Sequence, residues 1–125
     1  MTETKAIWAL VQRLKELTEA GKLPWEKKFV SGVYQVSLAR YSIDLLSQPG
    51  QNEFSAAPDY VIKVYDDSGD VISEKTDVEI SKELSISSPE VYNAMKELYA
   101  EARSKALNVN ESLADLLRTL DNLSD

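Results

Sequence analysis

The sequence contains no cysteine and no histidine. Without cysteine, the chain cannot form disulfide bonds, thiolate nucleophiles or zinc–thiolate sites. Without histidine, it lacks the usual general base near neutral pH, the commonest metal ligand and every Ser-His or Cys-His nucleophile pair. We therefore predict no catalytic, cofactor-binding or metal-ligating residue and favour a binding surface over a catalyst. An enzyme that uses carboxylates or lysines alone is the alternative that these absences leave open.

Long apolar runs are also missing. The longest run near the N-terminus, from Ala6 to Val11, has six residues. A signal peptide needs an apolar region of about 7–15 residues, and a membrane-spanning helix needs about 20. The expected location is the cytoplasm, without membrane contact.

Positive charge is scarce, with 14 Lys and Arg against 21 Asp and Glu and a net charge of −7. Phosphate contacts dominate nucleic-acid affinity, so an acidic chain is not expected to be a general binder of nucleic acid. Weak nucleic-acid binding would require the lysines near Trp25 to join Arg13, Lys15 and Arg40 in one patch.

The chain has 125 residues, of which 43% are hydrophobic, and this predicts one domain spanning residues 1–125. The first segment, from about Glu3 to Ala20, reads as an amphipathic helix that ends before Gly21. Its apolar residues recur at spacings of three and four, which places them on one stripe: Ile7, Leu10, Val11, Leu14 and Leu17.

A strand-rich middle follows the first helix. Alternating apolar residues predict two antiparallel strands joined by a tight turn at Ala39-Arg40: Val30, Tyr34, Val36 and Leu38, then Tyr41, Ile43 and Leu45. Residues 47–58 read as a loop of about a dozen residues, long for a hairpin, and the sequence leaves its function open. Tyr60 to Tyr65 reads as a central strand. Its return strand begins at Val71-Ile72 and continues weakly toward Val78 and Ile80.

The segment from Asp66 to Asp70 connects these last two strands. Asp66, Ser68 and Asp70 place oxygen-bearing side chains at alternate positions, which resembles the start of a calcium-binding loop. That loop requires glycine at its sixth position and glutamate at its twelfth, whereas this chain has Val71 and Asp77 there. A hairpin turn is therefore the favoured interpretation.

Two helices are predicted to close the chain, one from Ser88-Pro89-Glu90 to about Leu107 and one beginning at Asn110. The predicted fold class is α+β, with an N-terminal helix, a four-stranded antiparallel β-meander and two C-terminal helices. The last helix has a leucine face that we favour as core, with a homodimer seam as the alternative: Leu113, Leu116, Leu117, Leu120 and Leu123.

Four residues are candidates for contact with a partner: Trp25, Arg40, Tyr41 and Tyr65. Trp25 lies among lysines, although a single tryptophan after a helix more often packs in the core. Tyr41 and Tyr65 lie on predicted strands and would join an interface if their sheet face is uncovered, since tyrosine is enriched at interfaces.

Three segments resemble a set of small uncharacterised bacterial proteins. Residues 18–26 (TEAGKLPWE) are similar to their passage from helix to strand, residues 60–72 (YVIKVYDDSGDVI) to their strand, acidic glycine turn and return strand, and residues 98–107 (LYAEARSKAL) to their closing helix. The resemblance implies the same architecture and a bacterial origin. It implies no activity, cofactor or catalytic residue.

The leading hypothesis is a small non-catalytic protein-interaction or regulatory module that binds a protein partner. A second hypothesis is a dimeric secretion-type chaperone, since those proteins are small, acidic, dimeric α+β domains. The order of elements departs from theirs, because the predicted strands form one block before the last two helices.

Overall fold

The structure, a computed structural model, describes residues 2–50 and 57–124. Its elements confirm the predicted α+β class, with an N-terminal helix, an antiparallel sheet and C-terminal helices. In chain order they are α1 (Glu3–Glu19), β1 (Glu26–Lys27), β2 (Tyr34–Leu38), β3 (Tyr41–Gln48), β4 (Asp59–Tyr65), β5 (Val71–Thr76), α2 (Asp77–Leu84), α3 (Ser88–Ala106) and α4 (Val109–Leu123).

Helix α1 forms where the apolar spacing predicts it. Its first turn is capped by the Thr2 hydroxyl, which accepts a hydrogen bond from the Lys5 backbone N–H at 3.2 Å. Ile7, Val11 and Leu14 are buried, because spacings of three and four residues bring them to the same side of the helix. The helix therefore packs one stripe against the core and leaves its charged side in solvent.

The sheet is a meander in which every strand pairs antiparallel with the next, in the order β1-β2-β3-β4-β5. It has five strands where four were predicted, because the two-residue strand β1 adds an edge beside β2. The Ala39-Arg40 turn lies between Leu38 and Tyr41, which are paired across the β2–β3 hairpin. The segment from Asp66 to Asp70 connects β4 and β5 as a hairpin turn, as predicted.

Helices α1, α2 and α3 pack against one face of the sheet and against one another. Every second residue along β2, β3 and β4 carries an apolar side chain that faces these helices, and these side chains meet them in one cluster. Its most deeply buried members come from both layers: Leu14, Ile62, Ile80, Met95, Leu98, Val11, Val36 and Val91. Side chains at the alternate strand positions point to the opposite face, which we call the open face; they include the polar Gln35, Asp44 and Lys63 and the buried Val61.

Two predictions for the middle of the chain are wrong. Val30 was predicted within a strand, but it lies in the turn before β2 and is 62% exposed. The return strand was predicted to continue weakly toward Val78 and Ile80, but β5 ends at Thr76 and α2 begins at once. The Thr76 hydroxyl accepts from the Glu79 N–H, and the Glu79 carboxylate accepts from the Thr76 N–H, so a capping box starts this helix.

The chain therefore closes with three helices after the sheet, where two were predicted. Helix α3 begins with its N-cap at Ser87, one residue before the predicted cap. The predicted loop at residues 47–58 is shorter at its start, because β3 continues through Gln48. Its central part, residues 51–56, lies outside the described residues.

Candidate interaction surfaces

Helix α4 leaves its leucines in solvent. None of its residues is buried, and among the described elements it approaches only α3. The five leucines, Leu113, Leu116, Leu117, Leu120 and Leu123, are each between 52% and 77% exposed. The favoured interpretation of this helix as core is therefore wrong for the single chain. We call these five residues the leucine face.

The charged residues of α4 lie away from the leucine face. Arg118 bonds Asp115 at 3.3 Å, one turn along the helix, and both side chains are more than 70% exposed. Since successive helical residues are offset by 100°, Glu111 and Asp115 fall on the side opposite the leucines. The helix thus presents one apolar and one charged side, with nothing in the described part of the chain covering the apolar one.

A polar cluster occupies the open face of the sheet. Asp44 on β3 is 2% exposed, and its carboxylate accepts from Lys28 Nζ at 2.8 Å and from Gln35 Nε2 at 2.8 Å. Burial and the neighbouring Asp44 charge raise the pKa of the Tyr65 phenol, which lies beside this cluster. The Asp44 carboxylate is thus engaged by an ammonium and an amide. These bonds tie β3 to β2 and to the segment before it, which suits Asp44 to a structural role.

Three of the four predicted contact residues, Arg40, Tyr41 and Tyr65, line one open cleft of about 520 Å³ beside this cluster. The β2–β3 turn carries the first two, and the pairing of Ser42 with Tyr65 brings the end of β4 alongside. The Arg40 guanidinium lies 6.0 Å from the centre of the Tyr41 ring, a cation–π arrangement.

The fourth predicted contact residue, Trp25, is in the core. It is 5% exposed, and its Nε1–H donates to the Thr18 hydroxyl at 2.9 Å. This bond ties the segment after α1 back to the helix and satisfies the polar edge of a buried indole. This burial favours the alternative interpretation, in which Trp25 packs in the core, over contact with a partner.

A smaller cavity of about 330 Å³ has two buried carboxylates, Asp59 and Asp77, in its wall. Burial, chiefly, and the neighbouring Asp59 charge raise the pKa of Asp77, although a hydrogen bond from the Tyr60 N–H at 2.9 Å opposes the shift. That hydrogen bond gives Asp77 a structural role, which is to join the start of α2 to β4. No group of three or more Asp or Glu side chains able to hold a metal ion occurs among residues 2–50 and 57–124.

The turn before β2 carries an exposed aromatic residue that the sequence prediction missed. Phe29 is fully exposed and its neighbour Val30 is 62% exposed. A hydrogen bond anchors this turn to α3, since the Tyr99 hydroxyl donates to the Gly32 carbonyl at 2.8 Å. Gly32 has φ +80°, a conformation that residues with a side chain rarely adopt. The Ser31-Gly32 pair was the available sign of a turn at this point.

Three of the basic residues proposed for a nucleic-acid patch are engaged with acidic partners. Arg13 bonds Glu16 at 2.7 Å, Lys28 bonds Asp44, and Lys15 lies within ion-pair distance of Glu97. Each of these cations is therefore at least partly neutralised by its neighbour.

Comparison of the chain with protein-family models, with curated proteins and with solved structures gave no match. Within the described ranges, no helix has both the length and the apolar content required to cross a bilayer.

Proposed function

We propose that the protein is a small non-catalytic protein-interaction module of the bacterial cytoplasm and that α4 is its main binding element. The observation that carries the proposal is the leucine face. Soluble monomeric proteins rarely expose a contiguous apolar patch of this kind unless it binds something. An amphipathic helix that buries its apolar side against a partner is a common mode of protein recognition.

Two further observations support a binding role over a catalytic one. The buried carboxylate on the open face, Asp44, accepts hydrogen bonds from Lys28 and Gln35, one on each of its oxygens. A second buried carboxylate, Asp77, accepts a backbone hydrogen bond from Tyr60, which anchors α2 to the sheet. The bacterial and cytoplasmic parts of the proposal rest on the sequence resemblance and on the lack of long apolar runs.

The same surfaces favour a protein partner over nucleic acid. A nucleic-acid site would need unpaired cations gathered on one side, since counterion release supplies most of the binding energy. Here three of the cations proposed for such a site, Arg13, Lys15 and Lys28, are paired with carboxylates, and the exposed apolar surface lies on a helix with more acidic than basic residues.

Site-specific photo-crosslinking in cells tests this proposal. A photoreactive amino acid replaces Leu117 on the leucine face, and in a matched strain it replaces Arg118 on the opposite side. Both positions are well exposed in the single chain. We expect crosslinked products from position 117 and few from position 118. Equal yields from the two positions, or none from either, would contradict the proposal.

A further inference from the structure

Resting on the proposed function, we infer that the leucine face pairs with the leucine face of a second copy of this chain. The two α4 helices run antiparallel about a two-fold axis near residue 118. The second copy is thus the partner of the interaction module. Three observations support this pairing: the spacing of the leucines, the symmetry of their positions and the distribution of charge around them.

The spacing is that of a coiled-coil seam. Val109, Leu113, Leu116, Leu120 and Leu123 follow one another at intervals of four, three, four and three residues. Repeats of this period keep a narrow apolar seam facing a single neighbouring helix, and they favour helix pairs with knobs-into-holes packing. Leu117 lies beside the seam and widens it on one side.

The seam is also symmetric about its own centre. Leu113 and Leu123 lie five residues to either side of Arg118, and Leu116 and Leu120 lie two residues to either side. An antiparallel two-fold pair therefore matches Leu113 with the second copy's Leu123, and Leu116 with the second copy's Leu120. A two-fold interface requires a surface that is complementary to itself, and this arrangement of leucines provides one.

The rim of the seam carries no charge. The positions flanking it are Asn110, Ser112, Leu117, Thr119 and Ser124. In coiled coils, charged flanking residues select a partner of opposite charge or repel a copy of the same helix. An uncharged rim does neither, so two copies of this acidic chain can approach along α4. Antiparallel pairing also places the two domains, each attached at the start of α4, at opposite ends of the helix pair.

The single chain gives α4 little support of its own. The helix has 15 residues, its N-cap Asn108 makes no side-chain capping bond, and it approaches only α3 among the described elements. Isolated helices shorter than about 12–15 residues are marginal in water. Pairing would supply the packing that the helix lacks. Because a single helix pair buries less than the standard interface of about 800 Å² per partner, we expect a dissociation constant in the micromolar range.

Sedimentation equilibrium of the full chain from about 1 to about 200 µM tests the pairing, a range chosen to bracket a micromolar constant. We expect a monomer–dimer equilibrium for the wild type. In Leu116→Glu the dissociation constant should rise by about a hundredfold or more, because the substitution places two charges in the seam of each dimer. Asp115→Asn, on the opposite side of α4, is the matched control and should associate like the wild type. Circular dichroism checks that each variant remains folded. A wild-type chain that stays monomeric, or a Leu116→Glu dimer as strong as the wild type, overturns the inference.

Disulfide trapping tests the orientation, and the absence of native cysteine makes its result simple to interpret. Leu116→Cys and Leu120→Cys chains are mixed and oxidised. Antiparallel pairing predicts that the mixed 116–120 disulfide exceeds both homodisulfides, with Arg118→Cys forming little disulfide. Predominant 116–116 and 120–120 products would overturn the antiparallel arrangement.

The crosslinking experiment separates a failure of this inference from a failure of the proposed function. If the purified chain is monomeric but position 117 crosslinks to a protein of another mass, the second copy is the wrong partner and the interaction module stands. If position 117 crosslinks to nothing, the interaction module fails as well.

Discussion

Replacing Lys28 with methionine should destabilise the protein by about 2 kcal/mol, because it leaves a buried carboxylate without its cation. The Asp44 side chain is 3% exposed and the Lys28 side chain is 34% exposed, with 2.8 Å between Oδ2 and Nζ. Methionine keeps the aliphatic length of Lys28 and removes its charge.

The size of the destabilisation expected for Lys28→Met follows from the burial of the two side chains. Removing one partner of a fully buried ion pair costs about 3–5 kcal/mol. The cost should be smaller here, because water reaches the exposed end of Lys28, and Gln35 continues to bond Asp44. An exposed ion pair would contribute only about 0.2–1 kcal/mol. The expected loss lies between these limits.

Urea unfolding at neutral pH measures the effect in a double-mutant cycle of Lys28→Met and Asp44→Asn. A second cycle on the same face, Lys63→Met and Glu74→Gln, is the matched control. That pair is separated by 3.2 Å, but its side chains are 31% and 50% exposed. We expect a coupling of about 1–2 kcal/mol for the first pair and below about 1 kcal/mol for the second. Equal couplings would show that burial of Asp44 does not strengthen its pair, and the argument would fail.

Two further predictions concern the core. Trp25→Phe should lower the free energy of unfolding by about 2 kcal/mol, because it leaves the buried Thr18 hydroxyl without its donor and removes packed ring volume. Urea unfolding measures this loss. A variant that keeps its stability but loses self-association would contradict the core role. For Asp77, burial raises the folded-state pKa above the unfolded value, so the contribution of Asp77 to stability falls as pH rises from about 4 through the folded pKa. Asp77→Asn lacks this penalty, so its stability relative to the wild type should improve between pH 4 and pH 7, whereas a pH-independent difference would refute the argument.

Sequence periodicity predicted the elements whose apolar stripes are long and regular. Helix α1 occupies almost the predicted range, and the hairpin turn from Asp66 to Asp70 forms where the acidic residues and Gly69 indicated it. In that turn the Asp66 side chain accepts from the Ser68 and Asp70 N–H groups, at 2.9 and 3.0 Å. Such local bonds depend on nearby residues only, which is why the sequence suffices to predict them.

Other features depend on what one segment meets in space, which periodicity does not contain. The spacing of the α4 leucines is the same whether they meet the core or another chain, so periodicity alone cannot distinguish the two arrangements. Trp25 could be assigned to the core only once Thr18 was seen to accept its indole N–H. Helix α2 is a different case, since its capping signal, Thr76 followed by Glu79, is present in the sequence within a polar stretch that has no regular apolar period.

The contrast between the body of the protein and α4 is itself an argument for binding. Throughout the described residues, no buried side-chain nitrogen or oxygen lacks a hydrogen-bond partner, and the apolar side chains of the sheet and of α1, α2 and α3 share one core. A tail with no role beyond solubility would be polar on all sides, because exposed leucines promote aggregation. Helix α4 instead keeps every charge off one side and concentrates five leucines there. The core is thus complete without α4, while the leucine face of α4 stays uncovered. A helix-mediated interaction requires both features.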